Sequence, residues 1–424
     1  MVALSFFLWG FSARYFDVFP NNQLSAVFKE VNDYLTFKDG PSKSTKDKIL
    51  LDHQERRTRY DFSGFRLRDP DFQDTGYLLI SRYSKKHGQV IVELFSIADR
   101  SVLHTWIPPL SEIFKRTPEF RGGANTPESY RAQHPLLLDD GGLVFTSGEG
   151  PMVRIDACGN LVWIIDRQFH HTIELDHLGN IVSPIVIEGK KPKTVLPIRN
   201  DGIAIVSLDG QIIAEYPITD ILLDNGYRGL IYGVGTFEID RIHLNDAQPI
   251  LKASEMANIG DIALSSRHLS AVALLQPQSG KITWLKTGPW LSQHDINALG
   301  DGRYSIFGND IVRIDKRRAV LVERGKSDVY IFNPLDNSVT RPYSDMMAKE
   351  RIATETSGRS KILANGDVYI EESDYSRLIR ISRNTVRWEY VNSLSPETVG
   401  ALHWSRYISH DEMDLTWRET LICN

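Results

Sequence analysis

Histidine and arginine side chains recur at the ends of apolar, strand-like runs between Asp240 and Asp295. Imidazole groups can act as nucleophiles or general bases, and guanidinium groups bind anionic oxygens. These residue types therefore suggest a site for an anionic group. With an upstream histidine pair included, the residues that could form it are His170, His171, His243, Arg267 and His294.

His294 is the candidate nucleophile, and it lies between Gln293 and Asp295. A neutral imidazole can attack an electrophile or accept a proton, and a carboxylate on the other ring nitrogen fixes its tautomer. The alternative is a single histidine that is hydrogen-bonded within a loop.

Three further residues could bind anionic oxygens. His243 and Asn245 are two residues apart, so both side chains face the same side of an extended strand. Imidazole and amide donors suit an oxyanion, but a solvated strand edge would have the same spacing. Arg267 lies in a strand-like run, where a guanidinium group needs an acidic partner or an anionic ligand. A structural salt bridge is the alternative for Arg267.

No metal ion or cofactor is predicted. His170 and His171 are adjacent, so on a strand they face opposite ways and at most one points into the site. The sequence has no His-x-His or His-x-x-x-His group with a carboxylate. It also lacks Gly-x-Ser-x-Gly, the phosphate-binding glycine loop and the dinucleotide fingerprint.

Short strands after Asp-Gly or Asn-Gly turns must position these residues. Such units begin near Asp140, Asn200 and Asn365, among others, and recur about every 40 to 60 residues, which suits propeller blades. With about four strands to a blade, residues 65–424 are predicted to form an all-β, six-bladed β-propeller. Loops from different blades meet at the central channel, so distant polar residues can form one site.

Residues 1–64 are predicted to form an apolar segment, a helix and a linker. The run from Met1 to Phe11 is apolar but shorter than the roughly 20 residues that span a bilayer. It is either the end of a membrane anchor or a segment packed against the body. Helical spacing of apolar residues predicts a helix over 22–36, and the polar stretch 38–60 is the predicted linker.

The net charge and the two cysteines bear on the partner and the compartment of the protein. A net charge of −5 gives no support for a nucleic-acid partner. Cys158 and Cys423 either form one disulfide in an oxidising compartment or remain two thiols. The sequence leaves the oligomeric state open.

Over about residues 135 to 395, the chain resembles the bacterial arylsulfotransferase family, which needs no phosphoadenylyl sulfate. The motifs that carry the resemblance are Phe169-His-His-Thr-Ile, Asp240-Arg-Ile-His-Leu-Asn-Asp, Gly260-Asp-Ile-Ala-Leu-Ser-Ser-Arg, Gln293-His-Asp and Leu363-Ala-Asn-Gly-Asp-Val. After the Gln-His-Asp strand, the family's asparagine-rich motif reads Phe307-Gly-Asn-Asp here.

The resemblance implies a six-bladed propeller with its site in the central channel. It implies an aryl sulfate donor, a phenolic acceptor and a location in the cell envelope, either periplasmic or membrane-anchored. It makes His294 the residue that is transiently sulfated. The other positions that it assigns to catalysis or substrate binding are His243, Asn245, Arg267, His171 or His170, and Thr356.

Three functions fit these observations. The first is a sulfotransferase that works through a sulfohistidine. The second is a non-catalytic envelope propeller that binds an anionic ligand or a partner protein. The third is an enzyme on the same scaffold with another acyl, phosphoryl or sulfuryl donor, because propellers host many functions.

Overall fold

The computed structural model describes residues 55–118, 126–189, 192–194, 196–233, 238–315, 318–321 and 326–423. These residues belong to one compact unit, which runs from His53 to Asn424. The predicted apolar segment, the helix over 22–36 and most of the predicted linker lie outside the described residues. None of the helices within those ranges is long and apolar enough to cross a membrane.

Short strands make up most of the described chain. Its first thirteen strands are β1 (Glu55–Arg57), β2 (Gly64–Leu67), β3 (Tyr77–Ser84), β4 (Gln89–Ser96), β5 (Ser101–Trp106), β6 (Gln133–Leu137), β7 (Leu143–Thr146), β8 (Glu149–Ile155), β9 (Leu161–His170), β10 (Glu174–Leu175), β11 (Ile181–Val186), β12 (Asp201–Val206) and β13 (Ile212–Pro217).

The later strands continue the same pattern. They are β14 (Leu244–Pro249), β15 (Ile262–Ser266), β16 (Ala271–Gln276), β17 (Lys281–Thr287), β18 (Asp295–Ala298), β19 (Tyr304–Gly308), β20 (Ile311–Asp315), β21 (Arg318–Leu321), β22 (Asp328–Asn333), β23 (Ser338–Thr340), β24 (Arg359–Ile362), β25 (Val368–Glu372), β26 (Arg377–Ile381), β27 (Val386–Val391), β28 (Thr398–Gly400) and β29 (Arg406–Ile408).

Helices in the described ranges are few and short. The α-helices are α1 (Leu110–Arg116), α2 (Ile218–Asp224), α3 (Arg228–Tyr232), α4 (Ser344–Lys349) and α5 (Trp417–Thr420). Two 3-10 turns cover Ser373–Tyr375 and His410–Glu412.

Neighbouring strands are joined by glycine turns of the kind that the sequence predicts. Gly366 lies between β24 and β25 with a φ of 79°, a conformation that glycine adopts without a Cβ penalty. Its backbone N–H donates to the Leu363 carbonyl at 2.8 Å and so closes the turn.

The fold is all-β and propeller-like, as predicted. Four sheets have the size of a propeller blade, with the strand orders β29-β3-β4-β5, β14-β15-β16-β17, β18-β19-β22-β23 and β2-β27-β26-β25-β24. A larger sheet of eight strands runs β13-β12-β11-β9-β8-β7-β6, with β10 paired to β11. The described residues also contain two two-stranded sheets, β1-β28 and β20-β21.

The predicted number of six separate blades is wrong, because four sheets of blade size are accompanied by one double-sized sheet. That sheet contains two four-stranded meanders, β6–β9 and β10–β13. They merge because Phe169 in β9 pairs with Ile185 in β11. The turn residues between strands are the same whether or not this single pair forms, so the sequence could not predict that the two meanders share a sheet.

Strands from the two ends of the described chain close the arrangement. Arg406 in β29 pairs with Leu79 in β3, and Phe65 in β2 pairs with Tyr390 in β27. β1 also pairs with β28. β1 and β2 therefore belong to the same compact unit as the later strands.

Apolar side chains fill the spaces between successive sheets. One cluster, with Trp106 and Phe145, packs the β3–β5 sheet against the β6–β9 meander. Another, with Leu78 and Trp388, packs the β3–β5 sheet against β25–β27. Each fully buried large apolar side chain contributes about 1.5–3 kcal/mol, so these layers hold the inner strand edges in place.

The C-terminal tail is covalently attached to the body. Cys158 and Cys423 form a disulfide, which decides between the two alternatives left by the sequence. Trp417 in α5 packs in the same core cluster as Trp106.

Candidate functional site

Six of the non-glycine residues with left-handed backbone lie at, or just before, the starts of β6, β10, β14, β18, β24 and β29. They are His134, His171, His243, Ser292, Ser357 and Trp404, with φ between 49° and 65°. This conformation costs about 1–3 kcal/mol for a non-glycine residue and is often found at functional sites. The backbone therefore turns in the same way at the start of each of these strands.

Neighbouring members of this set, β10 with β14, β14 with β18 and β18 with β24, contact one another, and side-chain hydrogen bonds link them. The Asn245 amide in β14 donates to the Gln293 carbonyl just before β18, at 3.1 Å. The Asn297 amide in β18 donates to the Ser360 carbonyl in β24, at 3.0 Å. Residues far apart in sequence are thereby brought to one place.

The structure brings three of the predicted histidines together. The ring of His171 lies 5.3 Å from that of His243 and 6.1 Å from that of His294, measured between centroids. The indole of Trp404 closes the group, 5.5 Å from His171 and 6.2 Å from His294.

His294 is held in one tautomer by an amide. Its Nδ1 lies 2.6 Å from Oδ1 of Asn309. The Asn309 Nδ2 donates to the carbonyls of Thr354 and Ser357 at 3.0 and 2.8 Å, so its Oδ1 must face the imidazole. Nδ1 therefore carries the proton and Nε2 the lone pair. The Ser357 N–H donates to that Nε2 at 3.2 Å.

The fixed tautomer belongs to a neutral ring. Burial, with His294 only 3% exposed, and the positive charge of Arg267 hold the pKa of His294 well below its ordinary value. The group that fixes the tautomer is Asn309, and Asp295 binds the Ser360 N–H and the Asn297 amide instead. Adjacent residues on a strand face opposite sides, which separates Asp295 from the ring of its neighbour.

His243 has a carboxylate partner. Its Nδ1 is hydrogen-bonded to Oδ2 of Asp240. The His243 ring stacks on His268 with centroids 4.5 Å apart. His268 in turn contacts the Asp240 carbonyl through Nδ1 at 2.5 Å and Nη1 of Arg267 through Nε2 at 3.1 Å.

Arg267 is buried and anchored at the end of β15. Its backbone N–H donates to the His243 carbonyl at 3.0 Å, which ties the two predicted site residues together. Its charge also reaches His294, where it lowers the pKa. The guanidinium group is thus placed close enough to act on the same small volume as the histidines.

The three remaining predicted residues have other contacts. His170 is fully buried behind His171, with their Nδ1 atoms 3.0 Å apart and its Nε2 3.7 Å from Oδ1 of Asp201. Asn245 holds the backbone that carries His294. Thr356 is exposed, and its hydroxyl donates to Oδ1 of Asp374 at 2.9 Å.

Charged side chains continue along the same inner strands. Nη1 of Arg406 lies 3.0 Å from Oε2 of Glu174. Nη2 of Arg359 lies 3.8 Å from both Oε1 of Glu174 and Oδ1 of Asp295. Burial, followed by the charge of Asp295, raises the pKa of Asp246 well above its ordinary value. Removing one member of such a buried network leaves an uncompensated charge.

Three residues could together hold a metal ion. One ligand atom from each of Asp240, His243 and His268 lies within 4.8 Å of the others. No metal site was predicted, because Asp240 and His268 are too far apart in sequence for a ligand motif. Two guanidinium groups border the cluster. Arg199 Nη1 lies 3.7 Å from Oδ2 of Asp240, and Arg267 contacts His268. This arrangement disfavours an added cation.

Three residues of the site were not predicted. Asp240 is three positions before His243, and that spacing was its only signal. Asn309 stands in the Phe307-Gly-Asn-Asp stretch that differs from the family pattern. Trp404 had no local signal, because only closure by β29 brings it to the histidines.

A family model described as Arylsulfotransferase (ASST) matches residues 134–393, which is more than half of the chain. The chain belongs to the arylsulfotransferase family. The match runs from β6 to the segment just after β27 and includes the three clustered histidines, Arg267 and Asn309. Trp404 and Cys423 lie outside it. Family membership supports aryl sulfotransferase activity in general, with an aryl sulfate as donor and a phenol as acceptor.

Other comparisons add no function. No curated protein matches the arylsulfotransferase chain. A protein of unknown function from Bacteroides caccae has a TM-score of 0.48 at 11% identity, covering 79% of this chain and 99% of its own. Catalytically inactive virginiamycin B lyase from Staphylococcus aureus with quinupristin has a TM-score of 0.41 at 12% identity, covering 81% and 99%.

Proposed function

We propose that this protein transfers a sulfuryl group from an aryl sulfate ester to a phenolic acceptor through a sulfohistidine at His294, without phosphoadenylyl sulfate. The observation that carries the proposal is the fixed tautomer of His294. Its Nδ1 proton is held by Asn309, so the nucleophilic lone pair is on Nε2, which gives up the hydrogen bond from the Ser357 N–H, 3.2 Å away, when it attacks. A neutral imidazole needs no base before it attacks.

The first half of the reaction forms the sulfohistidine. The Nε2 lone pair of His294 attacks sulfur, the bond between sulfur and the aryl oxygen breaks, and the phenolate leaves and takes up a proton. The ring now carries a positive charge, with Nδ1–H still donating to Asn309. Because an amide oxygen does not remove that proton, the new N–S bond stays weak and reactive.

The second half returns the enzyme to its starting state. The oxygen of an acceptor phenol attacks sulfur, the N–S bond breaks, and the phenol gives up its proton to a second channel histidine. Arg267 neutralises the sulfuryl oxygens during both halves. Asn245 binds the Gln293 carbonyl and so keeps the segment that carries His294 in place.

A transfer assay tests this function. Incubation with 4-nitrophenyl sulfate should release coloured 4-nitrophenol continuously only when an acceptor phenol is added, with ping-pong kinetics. With the donor alone, each protein molecule should take up one sulfuryl group. Failure to turn over any aryl sulfate would instead favour a non-catalytic propeller that binds an anion or a partner. A requirement for phosphoadenylyl sulfate would also contradict the proposal.

We also propose a location in the cell envelope. The disulfide between Cys158 and Cys423 supports an oxidising compartment, because such bonds are rare in the cytosol. The native full-length protein should therefore fractionate with the envelope, with both cysteines oxidised. Recovery of the protein in the cytosolic fraction with free thiols would contradict this location.

A further inference from the structure

Two histidines at the channel site have partners of different chemistry. Nδ1 of His294 contacts the neutral amide oxygen of Asn309, whereas Nδ1 of His243 contacts the carboxylate of Asp240. Both partners fix the same tautomer, with the proton on Nδ1 and the lone pair on Nε2. They differ in the charge that they place beside the ring.

That difference gives the two rings different abilities. An amide oxygen accepts a hydrogen bond but does not compensate the full charge of an imidazolium. A carboxylate does, so the ring beside it can cycle between its neutral and protonated forms. When the environments of two titratable groups differ in this way, their roles as nucleophile and as acid or base can be assigned.

The surroundings of Asp240 keep it available as a carboxylate. Burial alone would raise its pKa, but the hydrogen bond and charge of His243, with the charge of Arg199, lower it below the ordinary value. Arg199 Nη1 lies 3.7 Å from Oδ2 of Asp240. Asp240 is therefore ionised and stays in place beside His243.

His171 is less suited to exchange protons, although it lies between the other two rings. Its Nδ1 contacts the imidazole of His170, not an acid. Its enclosed position, followed by the charge of His170, lowers its pKa well below the ordinary value. A ring in this setting remains neutral and has no fixed anion to stabilise its protonated form.

We infer that His243 is the acid and base of the reaction and that Asp240 is its positioning residue. This inference rests on the proposed function. In the first half, protonated His243 gives its Nε2 proton to the leaving phenolate oxygen as His294 bonds to sulfur. In the second half, neutral His243 accepts the proton of the acceptor phenol as its oxygen bonds to sulfur. Protons balance over the cycle.

The test compares donors whose leaving groups differ in acidity. Phenyl sulfate releases a weakly acidic phenol and needs a proton donor, whereas 4-nitrophenyl sulfate releases a stable phenolate and does not. Asp240→Asn keeps a hydrogen bond to Nδ1 but removes the negative charge. We expect kcat/KM to fall about 100-fold for phenyl sulfate and less than about 10-fold for 4-nitrophenyl sulfate.

Glu238→Gln is the matched control. Glu238 is mostly exposed and lies 4.0 Å from His268, so the variant removes one negative charge from the same segment without touching His243. It should change neither donor's kcat/KM by more than about twofold. His243→Gln is the second variant, and it should reproduce the dependence on the leaving group if Asp240→Asn folds poorly.

The outcomes separate the two proposals. An equal fall for both donors, or no fall, in Asp240→Asn and His243→Gln would overturn the assignment of acid and base while wild-type transfer stands. Loss of activity on dialysis against a chelator, restored by zinc, would overturn it in favour of a metal at Asp240, His243 and His268. A wild-type protein that transfers no sulfuryl group would overturn the function and this inference together.

Discussion

His294→Ala is expected to abolish sulfuryl transfer, with kcat falling by at least about 10⁴-fold, as for loss of a nucleophile. Alanine offers no lone pair at the position of Nε2, and the neighbouring histidines are held by other partners. His171 contacts His170, and His243 contacts Asp240. Neither ring can therefore take the position of the missing Nε2 without moving away from the partner that holds it.

The sulfuryl label provides an independent measurement. Wild-type protein incubated with donor alone should carry one sulfuryl group, and peptide mapping should place it on His294. The fixed tautomer further predicts attachment at Nε2, because Nδ1 is occupied by its proton and by Asn309 at 2.6 Å. The label should be absent from His294→Ala.

His87→Ala is the control for a general effect of removing an imidazole. His87 is exposed in the turn between β3 and β4, away from the channel histidines. It should keep wild-type turnover and labelling. Comparable turnover in His294→Ala, or a label on any other residue of the wild type, would show that the nucleophile has been assigned wrongly.

Arg267→Ala is expected to lower kcat/KM by about 100-fold to 1000-fold, like loss of one preorganised oxyanion donor. The sulfuryl oxygens are anionic, and the buried side chains around them leave little water to neutralise them. The guanidinium of Arg267 is buried and fixed through His268 at 3.1 Å, so its orientation requires no rearrangement during transfer. Its loss should lower kcat more than it raises KM.

Arg267→Lys distinguishes charge from geometry. Lysine keeps the positive charge but lacks the planar donor fork, so activity should be intermediate between wild type and Arg267→Ala. Arg303→Ala is the matched control, because Arg303 is half-exposed in a surface turn and bonded to Asp301. If Arg267→Ala lowers only the melting temperature and leaves kcat/KM unchanged, the arginine has a structural role alone.

Local patterns were enough to predict the all-β class and which three histidines lie together. Alternation and turn chemistry depend on neighbouring residues, so the strands, the glycine turns such as that at Gly366 and the all-β class followed from the sequence. The order of motifs around His171, His243, Arg267 and His294 also followed, as did the family. The strands and turns are set by covalent geometry over a few residues, whereas the family is indicated by the order of its motifs.

Partner choice could not be predicted in the same way. The tautomer of His294 depends on Asn309, which follows the end of β19 and is 15 residues away in sequence. It does not depend on the adjacent Asp295. The pairing of Phe169 with Ile185 merges two expected blades into one sheet. In both cases the two residues are distant in sequence, and they meet only because whole strands pack next to each other.

Closure of the ring decided the rest. Trp404 reaches His171 and His294 only because β29 pairs with β3, more than 300 residues earlier in the chain. Cys423 likewise meets Cys158 only once the tail has folded back, across 265 residues of sequence. A local sequence pattern cannot predict such contacts, because they form only when the last strand, β29, pairs with β3.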